Sequence, residues 1–403
     1  MPNPVYLIGA GRTDFARNLK KEEKGLRDVI VEAGRAAIDA AGIEPSAVQS
    51  GVVGNFAAGR FTKQLHLGSF LTDIDESLRG IPTFHAEAAC ASGAVAFVAG
   101  AQQVMGGLAD VVIVVGAEQQ KTMSPAEVGD VLAGAGDYGH ERPMYGDFMF
   151  PSLFGKVAEI YNDAYGLTAE QISSIAYKNR LHAKLNPQAQ MRTKSLERSA
   201  ACAVSDDNPM IAKPLIKASD CSQITDGAAA VVLASEAFVK RMNKKAPRML
   251  GLGHATDHLP LDRKDAPVFS TGRKSAKRAF EQAGVGVKDL HGADLHDCFS
   301  ISEIVAYEML GFCENGRGKE LAERGDTMLK KVGGTGKLFP VNPGGGLMGD
   351  GHPVGATGVR QLHEMFVQLT GRAGERQIDG AQRYLTFNMG GSFTTSVCAI
   401  WGV

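Results

Sequence analysis

The chain repeats itself. The stretch from Ala41-Gly42-Ile43 to Ser50-Gly51-Val52-Val53-Gly54-Asn55-Phe56 returns in outline from Ala283-Gly284-Val285 to Gly292-Ala293-Asp294-Leu295-His296-Asp297-Cys298. Each copy follows a segment with helical apolar spacing: Leu26, Val29, Ile30, Ala33, Ala37 and Ala41 in the first, Ala276, Ala279, Phe280 and Ala283 in the second. Further on, Cys90-Ala91-Ser92-Gly93-Ala94 opens a helix that ends near Gly106-Gly107. Its counterpart, His352-Pro353-Val354-Gly355-Ala356-Thr357-Gly358, opens one that ends near Gly371. The strand-like run Val111 to Gly116 is then answered by Tyr384 to Gly390. Identity within each pair is weak, but three pairs in the same order make chance a poor explanation, and the spacing differences are those of loop insertions.

Between the copies lies a different region, rich in Met, Tyr, Lys and Arg, with a helix expected from Ala169 to Leu185 and a basic tail through Lys194. After it, Asp226-Gly227 leads into a strand at Ala228 to Leu233 that returns to the first core. Strands alternating with helices imply α/β layers with largely parallel sheets. The expected organisation is an N-terminal half at residues 1–118 plus 221–245, an inserted loop domain at 119–220, and a C-terminal half at 246–403.

Composition excludes several classes. A formal net charge of −1 gives no basic field for nucleic acid. No apolar run approaches the roughly 20 residues a membrane span needs. Val5-Tyr6-Leu7-Ile8 is too short for a signal peptide's apolar region, and Ile400-Trp401-Gly402-Val403 is not a peroxisomal Ser-Lys-Leu ending. The six cysteines (90, 202, 221, 298, 313, 398) form no CxxC pair, which argues against a zinc cage or disulfide scaffold. A cytoplasmic protein without a metal is expected.

Three segments carry chemistry. In His85-Ala86-Glu87-Ala88-Ala89-Cys90-Ala91-Ser92-Gly93, a thiol at a helix N-terminus meets unpaired N–H groups and the positive dipole end, which favour thiolate. A buried structural cysteine fits the same segment equally well. In Asn342-Pro343-Gly344-Gly345-Gly346 and the following Gly351-His352-Pro353, a histidine sits at the repeat-related position to Cys90 and could take its proton. A helix-capping histidine is the alternative there. In His296-Asp297-Cys298-Phe299, polar side chains sit where an α/β strand ends at an active-site rim. The alternatives are a core histidine or a metal pair, the latter without a supporting ligand cluster.

Together, Cys-Ala-Ser-Gly, Gly-His-Pro-Val-Gly-Ala-Thr-Gly and His-Asp-Cys-Phe resemble the thiolase superfamily, and more closely its sterol-carrier-protein-2 type, which is acetyl-CoA acetyltransferase-like. The resemblance runs from the first strand to Gly391. It implies the thiolase fold: duplicated βαβαβαββ halves in a five-layered αβαβα core with an inserted loop domain, usually as a homodimer or homotetramer. It implies Cys90 as the acyl-accepting nucleophile and His352 as its base. His296 with His352 would form one oxyanion site, and the backbone amides of Cys90 and Gly390 a second. Ser222, in Ser-Gln-Ile-Thr-Asp-Gly, matches a serine near the pantetheine. Where ordinary thiolases carry a second cysteine in Cys-x-Gly, this chain has Asn388, and the resemblance gives that acid/base role to Cys298.

The implied reaction is CoA-dependent cleavage of a 3-oxoacyl-CoA, or the reverse condensation, in lipid metabolism. CoA is then a co-substrate, and no cofactor is permanently bound. Arg180, Lys184, Arg192 and Lys194 are candidates for the CoA phosphates, with a solvated helix face as the competing explanation. Gly134 to Phe154 is a candidate acyl-pocket wall, or ordinary core. Two rival functions are a decarboxylating β-ketoacyl-synthase-like enzyme, which would also use a Cys-His-His set, and a non-catalytic acyl-CoA- or lipid-binding thiolase-like protein.

Overall fold

A computed structural model describes residues 3–403. The first half contributes β1 (Val5–Arg12), α1 (Leu26–Ala41), β2 (Ser50–Gly54), β3 (Thr83–Ala86), α2 (Ser92–Met105) and β4 (Val111–Glu118). The intervening segment follows, with α3 (Pro125–Ala133), α4 (Met149–Tyr165) and α5 (Ala169–Ala183). Then come β5 (Gly227–Ser235), β6 (Arg248–Thr256), α6 (Ser270–Ala283), β7 (Gly292–Leu295), α7 (Ser300–Met309), α8 (Thr357–Leu369), β8 (Arg383–Gly390) and β9 (Thr395–Gly402).

The strands line up as β3-β2-β4-β5-β1-β6-β9-β8-β7. Read from the middle outward, the two sides mirror each other, because β1 meets β6 at Tyr6–Arg248. The counterpart of β3 in the second half is reduced to one parallel bridge between Val341 and Ala293. Each repeat pair recognised in the sequence therefore occupies equivalent places: α1 and α6, β2 and β7, α2 and α8, β4 and β8. The expectation of largely parallel sheets is corrected. Only the neighbours β2–β3, β2–β4 and β7–β8 run parallel. In each half the last strand returns antiparallel beside the one before it, β9 through a tight hairpin.

Alternating side chains sort the layers. Val112 and Val114 of β4 face a core shared with α2, α8, Val397 and Trp401, while Val111, Ile113 and Val115 face α1. On the other side, Leu385 and Phe387 of β8 pack outward with α6 and α7. Helices α2 and α8 are thus enclosed between two sheet halves, with helices outside each: five layers, αβαβα. The two central helices meet at their N-terminal ends through glycine. A Cβ on Gly93 would lie 2.6 Å from the Gly355 carbonyl oxygen, and one on Gly358 2.3 Å from the Ala94 nitrogen. Only hydrogen fits there, so the segments bearing Cys90 and His352 come within backbone contact. Among the described residues no helix is long and apolar enough to cross a membrane.

Candidate active site

Cys90 lies in a single 3-10 turn just ahead of α2. Ala89 before it has φ 53°, a left-handed conformation that costs a non-glycine residue energy. Ser92 holds that turn, its Oγ donating to the Ala89 carbonyl at 2.6 Å and accepting from the Ala88 N–H at 2.9 Å. The sequence points to a lowered thiol pKa, and the structure corrects this. Burial pushes Cys90 up to about 12, while N–H groups of Gly391 and of Cys90 itself pull the other way. The group rests as a neutral thiol, which a base would have to deprotonate before it could act as a nucleophile.

His352 supplies a nitrogen suited to that task. Its backbone N–H donates to Thr225 Oγ1 at 2.9 Å, and Nδ1 lies 2.7 Å from Thr357 Oγ1. The Thr357 hydroxyl donates to the Pro353 carbonyl at 3.1 Å, so it accepts from Nδ1–H and leaves Nε2 bare. Burial, with the charge of Arg360 second, holds His352 down at about 3, a neutral imidazole. His296 stands just beyond the end of β7 with its ring edge-on to His352, centroids 5.3 Å apart. Burial first, then His352, holds it well below the usual range. One ligand-type atom from each of Cys90, His296 and His352 falls within 4.8 Å of the others. These three are also the one set among the described residues that could hold a metal ion.

Cys298 follows on the same loop, buried, its thiol raised well above 9.0 by desolvation and then by Cys90 nearby. Between the two site residues Asp297 turns away. Its carboxylate accepts from the Leu347 N–H and from Asn179 Nδ2, both at 2.7 Å, and so clamps the glycine turn that leads to His352. Glu118, at the end of β4, ties the other side together. It accepts from Asn55 Nδ2 at 2.9 Å, the Phe56 N–H at 2.9 Å and the Gly355 N–H at 3.0 Å. Beneath His352, Arg12 grips Asp350 through two bonds of 2.6 and 2.8 Å. Neither Glu118 nor Asp350 stands out in the sequence, and Asp297, though inside a recognised motif, gives no sign there of its role as a clamp. The signal available was an acidic residue beside each motif or at a strand end, which many solvated positions share.

A cavity of about 200 Å3 opens on Cys90, Cys298 and His352. Ser222 lines it too, and its N–H donates to the Cys298 carbonyl at 2.9 Å. The opposite walls are Val128 and Leu132 of α3 with Phe148, Met149 and Phe150 at the start of α4. Part of the Gly134–Phe154 run thus faces the cavity. Arg180, Lys184, Arg192 and Lys194 do not line it, and Arg192 is held by Asp14 at 2.9 Å.

Two family profiles cover nearly the whole chain: the thiolase N-terminal domain over residues 5–237 and the thiolase C-terminal domain-like family over residues 253–403. The chain belongs to the thiolase family. Among curated relatives of this thiolase, acetyl-CoA acetyltransferase of Methanothermobacter thermautotrophicus is 36% identical over 98% of this chain and 99% of that protein. Human sterol carrier protein 2 is 31% identical over 96% of this chain and 70% of that protein. Among solved structures, the Ltp2-ChsH2(DUF35) aldolase superposes with a TM-score of 0.82 at 22% identity, covering 100% of this chain and 98% of that one. Human mitochondrial 3-ketoacyl-CoA thiolase in complex with CoA does so with a TM-score of 0.73 at 17% identity, covering 99% and 98%. These structures agree with the thiolase fold described above.

Proposed function

We propose that this thiolase is an acyltransferase that cleaves 3-oxoacyl-CoA with CoA, or forms it by the reverse condensation, through an acyl-Cys90 intermediate. The observation that carries this reading is the convergence of two buried thiols and the neutral imidazole of His352 on one mostly apolar cavity, with the second imidazole, His296, edge-on behind it. In the cleaving direction His352 Nε2 takes the Cys90 proton as sulfur attacks the 3-keto carbon. The alkoxide meets the N–H groups of Cys90 and Gly390. The C2–C3 bond then breaks, leaving an acyl-enzyme and an enolate whose oxygen faces His296 and the now-protonated His352. Cys298 delivers its proton to C2, releasing the C1–C2 fragment, acetyl-CoA for an unbranched substrate, while the shortened chain stays on Cys90. The Cys298 thiolate then takes the proton of CoA, whose sulfur attacks the acyl-Cys90 carbonyl; Cys90 leaves as thiolate and recovers its proton from His352.

A panel of straight-chain and 2-methyl-branched 3-oxoacyl-CoAs tests the reading, with kcat/KM for CoA-dependent cleavage as the measure. Decarboxylation of a malonyl thioester without cleavage of any 3-oxoacyl-CoA would favour the β-ketoacyl-synthase type instead. Binding without turnover would favour a carrier. The second buried thiol supports the first reading, because a decarboxylating condensation creates its carbanion without removing a proton.

We also propose that the protein self-associates through β3. That strand is the edge of the sheet, and Phe84 on it is 45% exposed. An open edge bearing an apolar side chain invites a second strand. Light scattering is expected to give a dimer or tetramer, and Phe84→Glu to shift it toward monomer. A wild-type monomer removes the proposal.

A further inference from the structure

Asn388 occupies the place where the sequence lacks an acid/base cysteine, and it is not idle. It is 2% exposed, and its side-chain Nδ2 lies 3.0 Å from Nδ1 of His296, which is 1% exposed. A neutral imidazole carries one proton. If the amide nitrogen faces Nδ1, Nδ1 must accept and the proton resides on Nε2. If the amide oxygen faced it, Nδ1 would carry the proton and Nε2 would be bare. The side-chain oxygen of Asn388 has no donor among the described residues. Reversing the amide would take its nitrogen away from the one hydrogen-bond partner it has among the described residues, the ring of His296. Buried unpaired N–H groups are rarer and costlier than an under-used carbonyl. The orientation with nitrogen toward the ring is therefore preferred.

We infer that Asn388 is a positioning residue that fixes His296 as its Nε2–H tautomer, making that ring a hydrogen-bond donor to the enolate oxygen. This rests on the carbon–carbon cleavage proposed above. His352 is held in the opposite form, Nδ1–H toward Thr357 and Nε2 bare. The two rings, edge-on at 5.3 Å, then divide the work: one begins as a base, the other as a donor. When His352 takes the Cys90 proton it too presents N–H, so the enolate formed later meets two donors. A bare Nε2 on His296 would instead repel the enolate oxygen.

The direct test is 15N NMR of the full chain with labelled histidine, His296 assigned by its loss in His296→Gln. The expected wild-type signature is a protonated Nε2 and an Nδ1 shifted by an accepted hydrogen bond. A protonated Nδ1 would overturn the assignment without any variant. Asn388→Leu, close in size, is expected to mix the tautomers and lower thiolysis about a hundredfold, the scale of losing one oxyanion donor. Its acyl-enzyme formation from a simple acyl-CoA should stay within about threefold, since that step uses the Cys90 and Gly390 amides. Unchanged thiolysis, or an equal loss in both steps, refutes the positioning role. A wild-type Nε2–H signature with no thiolysis of any 3-oxoacyl-CoA would leave the tautomer in place and refute the proposed reaction.

Discussion

Cys90→Ala is expected to abolish covalent acylation and to lower thiolysis by a factor on the order of 10⁴ or more, the scale of losing an enzyme nucleophile. Incubation of the wild type with acyl-CoA should add one acyl mass to the peptide containing Cys90, and the variant should show none. An acyl label on Cys298 instead would make Cys298 the nucleophile and overturn the assignment of that role to Cys90. The pH dependence is equally diagnostic. With the thiol pushed up to about 12 and His352 held down at about 3, the resting pair is neutral–neutral across the physiological range. The proton moves within the site during attack. Acylation should therefore be nearly level between about pH 6 and 8 and fall only as acid protonates His352. A free thiol of similar pKa would gain about tenfold in rate per pH unit over the same range.

Cys298→Ala separates the two chemical steps. Acylation of Cys90 by a simple acyl-CoA needs a nucleophile, a base and an oxyanion site, but no carbon acid. Carbon–carbon cleavage also needs a proton delivered to C2, and the Asn388 amide cannot supply one. The variant is expected to form the acyl-enzyme in a single-turnover mass measurement. It should lose thiolysis by about 10²–10⁴-fold, the usual contribution of general acid–base catalysis, and exchange of acetyl-CoA α-protons with deuterium should fall with it. A neutral thiol raised well above 9.0 is suited to donate to a carbanion. Near-normal cleavage and exchange in the variant would place the acid/base elsewhere.

Much of this was legible in the sequence because duplication leaves an ordered trace. Matching Ala41–Phe56 with Ala283–Cys298, and Cys90 with His352, located equivalent elements before any coordinate was known. Cys90, His296, Cys298 and His352, which the structure brings close together, stand out as candidates because each lies at an element end beside glycine or a polar neighbour. What stayed hidden depends on distance through space. The thiol pKa followed burial and not the helix terminus, since a nucleophile enclosed by two halves loses more solvation than a few N–H groups return. Asp297 and Glu118 brace backbone amides up to 237 positions away along the chain, which no local spacing encodes. Strand direction was misjudged because βα alternation hides the antiparallel return of β5 and β9.

The hydrogen-only contacts of Gly93 and Gly358, and the grip of Glu118 on Gly355, have a mechanical result. The halves cannot slide or part without breaking the constellation at their junction. Phe148 to Phe150, at the start of α4, wall the cavity. A little further along the same helix Phe154 stacks on Phe299, beside Cys298, with centroids 4.4 Å apart. Its approach to Phe393, near Gly391, is looser at 5.8 Å. A guest that presses on the start of α4 therefore bears on the helix that carries Phe154 against Phe299, the neighbour of Cys298.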